Sequence, residues 1–448
     1  MKTWDILGLG CVAIDDLLYV PSFPVANTKV RVVKRERQCG GLTGTALVTA
    51  ARLGARCAFA GLLGTDELSR VIEENFLHEG VEVSGLLLRS EQQGAESRVN
   101  HYTPGGTLGS MKGLHFLRES VPGIGELTEV APGILWIRLP LPFALDHVNI
   151  YLIEDGAGWA LVDTGINNPE TRAIWESVLD NQLRGSRLTR VIATHFHPDH
   201  VGLAGWLTER FGLPLYMSAM EYFVSLSRQL DQSPPRIAAY QQFYRQGGLP
   251  EARAVEIVSL GQGYIKATTP LPPAYCGLAH GERLRLGGRD FHIITGGGHA
   301  FDQAMLYSPA DRLFFSADQI LARISPNVAV WPIEPEADSL GAYLRSLESL
   351  KKTLLEDLLV LPGHHSPFYG VRTRIEQLQQ HHRDRCAEIA ESCQIAPKTI
   401  AELTSIVFRQ PLDGHQMSFA YGEVVAHVNH LVRNGILGNK QGRSQTTE

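Results

Sequence analysis

Residues 194–200 read Thr-His-Phe-His-Pro-Asp-His and follow directly on the apolar run Arg190-Val191-Ile192-Ala193. Imidazoles and a carboxylate are costly to crowd together unless something binds them. His195 and His197 are two apart on an extended segment, so their side chains point to one side. Pro198 suits the first turn of a helix, where its missing N–H costs no hydrogen bond. A helix over residues 198–212 then brings Asp199 and His200 round to meet the two histidines. Four N and O donors thus gather at the C-terminal end of a strand, where α/β folds place their sites. Imidazole with carboxylate and no thiolate suits zinc, with iron or manganese also open.

The flanking segments read as α/β material. Residues 133–141 (GILWIRLPL) and 148–165 (VNIYLIEDGAGWALVDTG) predict paired strands, the second stretch a hairpin turning at Asp155–Gly158. A helix over 169–179 precedes the strand that ends in the histidine run, and strand-loop-helix units continue to about residue 370. Residues 217–277 read as a mostly helical insertion. Its YQQFYRQ stretch (240–246) offers aromatics to wall a pocket for an apolar acyl or aromatic substrate, with plain helix packing as the alternative. Asn327, in RISPNVAV, is expected at the pocket rim. The chain closes with three helices and a short apolar end.

The HxHxDH run, with the motifs around it in their order, resembles the metallo-β-lactamase superfamily over about residues 129–370. The resemblance implies an αββα sandwich. It implies a first metal held by His195, His197 and His299 (from ITGGGHAFDQAML) and a second held by Asp199, His200 and His364 (from VLPGHHSPF). Asp318, from LFFSADQIL, would bridge the two, and Asp163, from LVDTG, would orient the ligands from behind. His364 is preferred over His365 because it directly follows Pro362-Gly363. His280, His292, His381 and His382 fall in no motif and are assigned to surface or core. Asp302, just after the third histidine motif, has no assigned ligand role. The implied cofactor is two zinc ions, with iron or manganese as alternatives.

Such a pair lowers the pKa of a bridging hydroxide and polarises a carbonyl or phosphoryl oxygen. Asp199 can accept the proton and pass it to the leaving group. The expected reaction is hydrolysis of an ester, thioester or lactone, with RNA phosphodiesters as the alternative. Fold does not settle the substrate, and no substrate-binding residue is assigned. The tail, from about residue 377 to 438, is similar to the winged-helix-type domain of the β-lactamase-like protein 2 subgroup. Its candidate recognition helix, YGEVVAHVNHLVRNGIL, carries one Arg and no Lys. Nucleic-acid binding is therefore poorly supported there, and a structural or dimer-forming role is favoured.

Composition sets the bounds. The 448 residues predict two to four domains at about 150 residues each. Apolar content of 44% and charged content of 20% are those of an ordinary globular protein. A net charge of -6 gives no general attraction to nucleic acid or anionic membrane. Six scattered cysteines without CxxC pairs read as reduced thiols of a cytoplasmic protein. No window reaches the roughly 18 uncharged apolar residues of a membrane helix, and the first twenty residues read as a buried core strand.

Residues 5–98 resemble the N-terminal half of ribokinase-like sugar kinases. The carriers are DILGLGCVAIDDLLYV, Gly40-Gly41 with a helix from about Thr45 ending AARLGA, and AGLLGTDELSRVIEENFLHEGV. Ala46, Leu47, Ala50 and Leu53 are expected along one stripe of that helix. In those kinases Asp15 or Asp16 and Gly40-Gly41 would lie near the sugar, but Gly44-Thr45 stands where an Asn is usual. The Gly-Ala-Gly-Asp segment that supplies their anion hole and base is absent from this chain, so phosphoryl transfer lacks its parts. A sugar-binding or regulatory role without kinase activity remains for this piece. The expected partition is a truncated ribokinase-like segment (1–98), a linker (99–126), the catalytic domain (127–375) and a winged-helix-like tail (376–448).

Overall fold

The computed structural model describes residues 4–9, 12–19, 34–63, 67–83, 87–89, 113–117, 121–143, 145–230, 233–261, 263–440 and 443–446. Most of the expected linker, Met111 included, lies outside the described residues. The chain divides into two compact units, Met1–His101 and Tyr102–Glu448.

The second unit holds two seven-stranded sheets. In spatial order the first contains Cys276–Gly277, Leu215–Met217, Arg187–Ile192, Gly158–Val162, His147–Asp155, Ile134–Pro140 and Thr128–Ala131. The other contains Arg283–Leu286, Arg289–Gly296, Gln303–Ser308, Leu313–Ala317, Leu359–Pro362, Phe368–Tyr369 and His115–Phe116. The predicted hairpin pairs Tyr151 with Val162 and Asp155 with Gly158.

Period-two alternation explains the layering. In Ile134–Pro140, Ile134 and Trp136 join a core with Phe291, Phe315 and Leu361 of the other sheet. Ile137 and Leu139 face the opposite way, onto Trp175, Val178 and Leu207 of the outer helices. The second sheet's outer face packs Met305, Phe314 and Val360 against helix Ser339–Thr353 and the helices that follow it. Helices therefore cover both outer faces of an αββα sandwich, and the strands, buried on both sides, read as continuous apolar runs.

Four helices, Ala219–Leu230, Pro234–Gln246, Glu251–Gly261 and Gly263–Ala267, occupy the stretch read as an insertion. Two of their aromatics take part in helix packing. Phe243 and Tyr244 pack against Tyr421, with ring centroids 5.5 and 5.0 Å apart, because helix Gly414–Arg433 offers them an apolar face. The tail helices are Val371–Ile395, Ile400–Val407 and Gly414–Arg433, followed by a short hairpin. Both later helices start in a capping box, at Thr399 with Glu402 and at Asp413 with Gln416. Helix Val371–Ile395 runs across the expected boundary at 375/376, and it is tied to the sandwich. Arg374 donates to the carbonyls of Leu321 and Ile324, and Val330 N–H donates to Gly422 O.

In the first unit, Ile6–Leu9, Cys57–Leu63, Val81–Glu82 and Leu87–Arg89 form a parallel sheet, with Ala13–Tyr19 and Lys34–Gly40 paired beside helices Leu42–Arg52 and Glu67–His78. Two expectations need correction. The opening strand is not buried: Ile6 and Leu7 are 42% and 50% exposed, since Ile6–Leu9 pairs with a single described strand. The first helix starts at Leu42, where Gly41 turns the chain with φ 85°, and not near Thr45. Its buried side runs through Gly44 and Leu47, while Ala46 and Leu53 are exposed. The side chains of Asp15 and Asp16 lie outside what is described.

Candidate metal centre

Every segment singled out for ligands leaves a strand at the same edge of the sandwich. His195–His200 follow Arg187–Ile192, His299 follows Arg289–Gly296, Asp318 follows Leu313–Ala317, and His364 follows Leu359–Pro362. The structure gathers all seven side chains into three overlapping groups: His195, His197 and His299; His195, His200 and Asp318; and Asp199, His200 and His364. Within each group the ligand atoms lie inside 4.8 Å of one another.

The geometry fits divalent cations. His195 Nε2 lies 2.9 Å from His197 Nδ1, which lies 3.1 Å from His299 Nε2, so three ring nitrogens face a common point. Asp318 Oδ2 lies 3.5 Å from Nε2 of His200, 3.5 Å from Nε2 of His299 and 3.2 Å from Nε2 of His364. His200 Nε2 and Asp318 Oδ1 are buried without a hydrogen-bond partner, a costly state that a cation relieves. Gly363 makes the closeness feasible, since a Cβ there would strike Asp318 Oδ1.

The outer ring nitrogens are held from behind, which fixes which nitrogen faces inward. His200 Nδ1 donates to Asp163 Oδ2 (2.8 Å), His299 Nδ1 to Asn327 O (2.8 Å) and His364 Nδ1 to His147 O (2.7 Å). Asp163 also accepts from Thr194 N–H and Oγ1, so one carboxylate holds both ends of the histidine run. Asp163, Ala317 and His365 adopt positive φ of 64°, 45° and 64° at these strand ends. Such backbone is strained for residues other than glycine and clusters at functional sites.

Burial pushes the charged forms of His195, His197 and His299 down, leaving lone pairs ready to ligate. The other half behaves oppositely. Burial also disfavours charge on His200 and His364, but Asp318 and Asp199 outweigh it and hold His364 up at about 10. Those imidazoliums in turn keep Asp199 and Asp318 below the usual carboxylate range against their own burial. His195, His200 and His364 are at most 1% exposed, while His197 and Asp199 are half-buried, so the cage opens on their side.

His365 joins none of the three ligand groups, and its backbone N–H donates to His147 Nε2. Asp302 acts through its backbone, its N–H donating to Glu221. Asn327 meets the site through its carbonyl, and its side-chain oxygen has no hydrogen-bond partner. His382 is buried in the tail against His427, and His280 accepts from Thr295 N–H.

Three contributors escaped the sequence reading. Asn149 accepts from Trp136 and donates to the carbonyls of Pro362 and His365, pinning the His364 loop across the two sheets. His147 supplies the carbonyl for His364, and Glu221 reaches Phe196 N–H. An Asn inside the apolar strand 148–153 was the one visible signal.

Comparison with known proteins agrees with this geometry. The metallo-beta-lactamase superfamily model matches residues 144–364, and the metallo-beta-lactamase-like C-terminal domain model matches 386–447. The solved structure of a beta-lactamase domain protein from Burkholderia ambifaria is 39% identical, covering 75% of this chain and 99% of that one with a TM-score of 0.69. The probable metallo-hydrolase YqjP of Bacillus subtilis (strain 168) is 25% identical over 316 residues, 66% of this chain and 92% of that one. Two narrower matches bear on parts of the chain. Hydroxyacylglutathione hydrolase of Rhizobium meliloti (strain 1021) is 23% identical over 229 residues, 51% of this chain and 67% of that one. Ketohexokinase of Mus musculus is 31% identical over 91 residues, 20% of this chain and 30% of that one. The chain belongs to the metallo-β-lactamase superfamily. Within it, this is a metallo-hydrolase carrying the C-terminal metallo-β-lactamase-like domain.

Proposed function

We propose that the chain is a binuclear, zinc-dependent hydrolase of an ester, thioester or lactone, with iron or manganese as alternative metals. One observation carries the binuclear reading: Asp318 Oδ2 faces nitrogens from both halves of the cage, His299 on one side and His200 with His364 on the other. His195, His197 and His299 would hold one ion, Asp199, His200 and His364 the second, and Asp318 both. When bound, such a pair supplies an acidified water and a Lewis acid for the substrate carbonyl. The chain's own residues do the rest. Asp163, Asn327 O and His147 O keep the ligating nitrogens aimed inward. Asp199, on the open side, takes the proton of the attacking water at its carboxylate and returns it to the leaving group. The thioester option draws support from the hydroxyacylglutathione hydrolase match.

Nucleic acid is the weaker reading. The supposed recognition helix buries Ala420 through Val428 in one continuous run, leaving little of it to enter a groove. Among the described residues no helix is long and apolar enough to cross a membrane, and we place the protein in the cytoplasm. The partition into 1–98, 99–126, 127–375 and 376–448 belongs to the same proposal. So does a sugar-binding or regulatory front segment without kinase activity; the 91-residue ketohexokinase match supports the resemblance to sugar kinases on which its sugar-binding half rests.

The test is metal analysis of the purified protein followed by a panel of thioester, lactone, β-lactam and RNA substrates. About two equivalents of metal and turnover on an acyl substrate are expected; RNA cleavage without acyl turnover would sink the substrate assignment.

A further inference from the structure

The helical insertion grips the backbone of one residue of the cage, Phe196, at both its N–H and its carbonyl. Phe196 lies between His195 and His197, and its N–H donates to Glu221 Oε2 at 2.9 Å. Its carbonyl accepts from Tyr264 Oη at 2.7 Å. The other carboxylate oxygen, Glu221 Oε1, accepts at 2.6 Å from the N–H of Asp302, three residues beyond His299. Ser218 Oγ closes the ring by donating to Asp302 O at 2.7 Å. Glu221 is 0% exposed and Tyr264 5%. A carboxylate so deeply buried is tolerated where backbone donors satisfy it. Here both donors belong to the two loops that carry His195, His197 and His299.

From this arrangement we infer that Glu221 and Tyr264 are positioning residues, setting the spacing of the two loops that present the first cation's three imidazoles. The inference rests on the metal-cage reading of the preceding section. Neither residue reaches the reacting atoms; each acts through the backbone of Phe196 or Asp302. The second half of the cage hangs on Asp163 and His147 instead, so loss of the clamp affects one ion selectively. Glu221→Gln keeps the shape but turns one acceptor into an NH₂ that faces an N–H. Tyr264→Phe deletes only the hydroxyl.

The experiment titrates metal-free full-length protein with Co(II), following uptake by absorption and calorimetry. His299→Ala and His364→Ala serve as signatures for loss of each half. Glu221→Gln should bind the first ion at least about 10-fold more weakly, the scale on which groups behind the ligands act, with the His299→Ala spectrum. The second ion should keep its wild-type affinity. Tyr264→Phe should weaken the same ion by a smaller factor, and it decides the matter alone should Glu221→Gln not fold. Folded variants that lose thermal stability yet bind both ions as the wild type does would overturn the inference. Wild-type protein that takes up no Co(II) would overturn this inference and the hydrolase reading together.

Discussion

The strand Ile6–Leu9 of the front unit and the strand Arg187–Ile192 of the sandwich are both parallel strands of α/β layers. What the described residues around them bury is very different. Among the described residues of the front unit, Ser69 is the single buried polar side chain. Past Ile192 the sandwich buries His195 and His200 fully, and the loops around them add His299, Asp318 and His364. The front core is a small apolar knot of Leu47, Cys57, Phe59, Ile72, Phe76, Val81 and Val83. Among the described residues, the same kind of backbone thus packs a small apolar core in one unit and frames a costly polar convergence in the other. Architecture permits a site, and the side chains at the strand ends decide whether one exists.

That contrast can be broken most sharply at His197. His197→Ala should lose metal and at least about a thousand-fold in turnover together, on the scale of removing a central catalytic element. Retained turnover measured beside metal content would show that the convergence is decorative. Asp163→Asn comes next. The amide still holds Thr194 but offers His200 an NH₂ in one of its two orientations, so metal affinity should fall by about 10- to 100-fold. Competition with a chelator measures it.

Glu423 tests the buried polar groups of the tail. Burial raises its carboxyl to about 7 from an ordinary 4.5, with Arg385 opposing, and neither oxygen has a hydrogen-bond partner. The folded state therefore binds this proton more tightly than the unfolded chain does. Its stabilising contribution is complete below about pH 4.5 and is lost as pH rises through 7, by about 3 kcal/mol. Glu423→Gln should match the wild type in urea unfolding at pH 5 and exceed it at pH 8.5. Equal stability at both values would refute the assignment. The smallest effect belongs to the front unit: a chain starting at Met111 should keep metal content and turnover within about two-fold. A folded but inactive product would show that the two units are not independent in function.

The residues legible in the sequence are those whose chemistry lies in their own side chain at a fixed spacing. His195, His197, Asp199 and His200 form a pattern on one loop, and His299, Asp318 and His364 each follow an apolar strand. Glu221, Asn149 and His147 act on the backbone of segments far along the chain, and no spacing rule links Glu221 to Asp302 or Asn149 to Pro362. The packing of Tyr244 on Tyr421 was hidden for the same reason: the two lie far apart in the chain and no spacing rule links them. In the front unit the helix start was misplaced because Gly41 can itself turn the chain into Leu42.

The ties from Arg374 and Gly422 to the segment between Leu321 and Val330 reach further than they first suggest. That segment carries the carbonyl on which His299 leans. An engineer grafting this catalytic body onto another scaffold would have to transplant the C-terminal helices with it. A cut anywhere between them would leave one metal-facing imidazole resting on a loop that had lost its anchor.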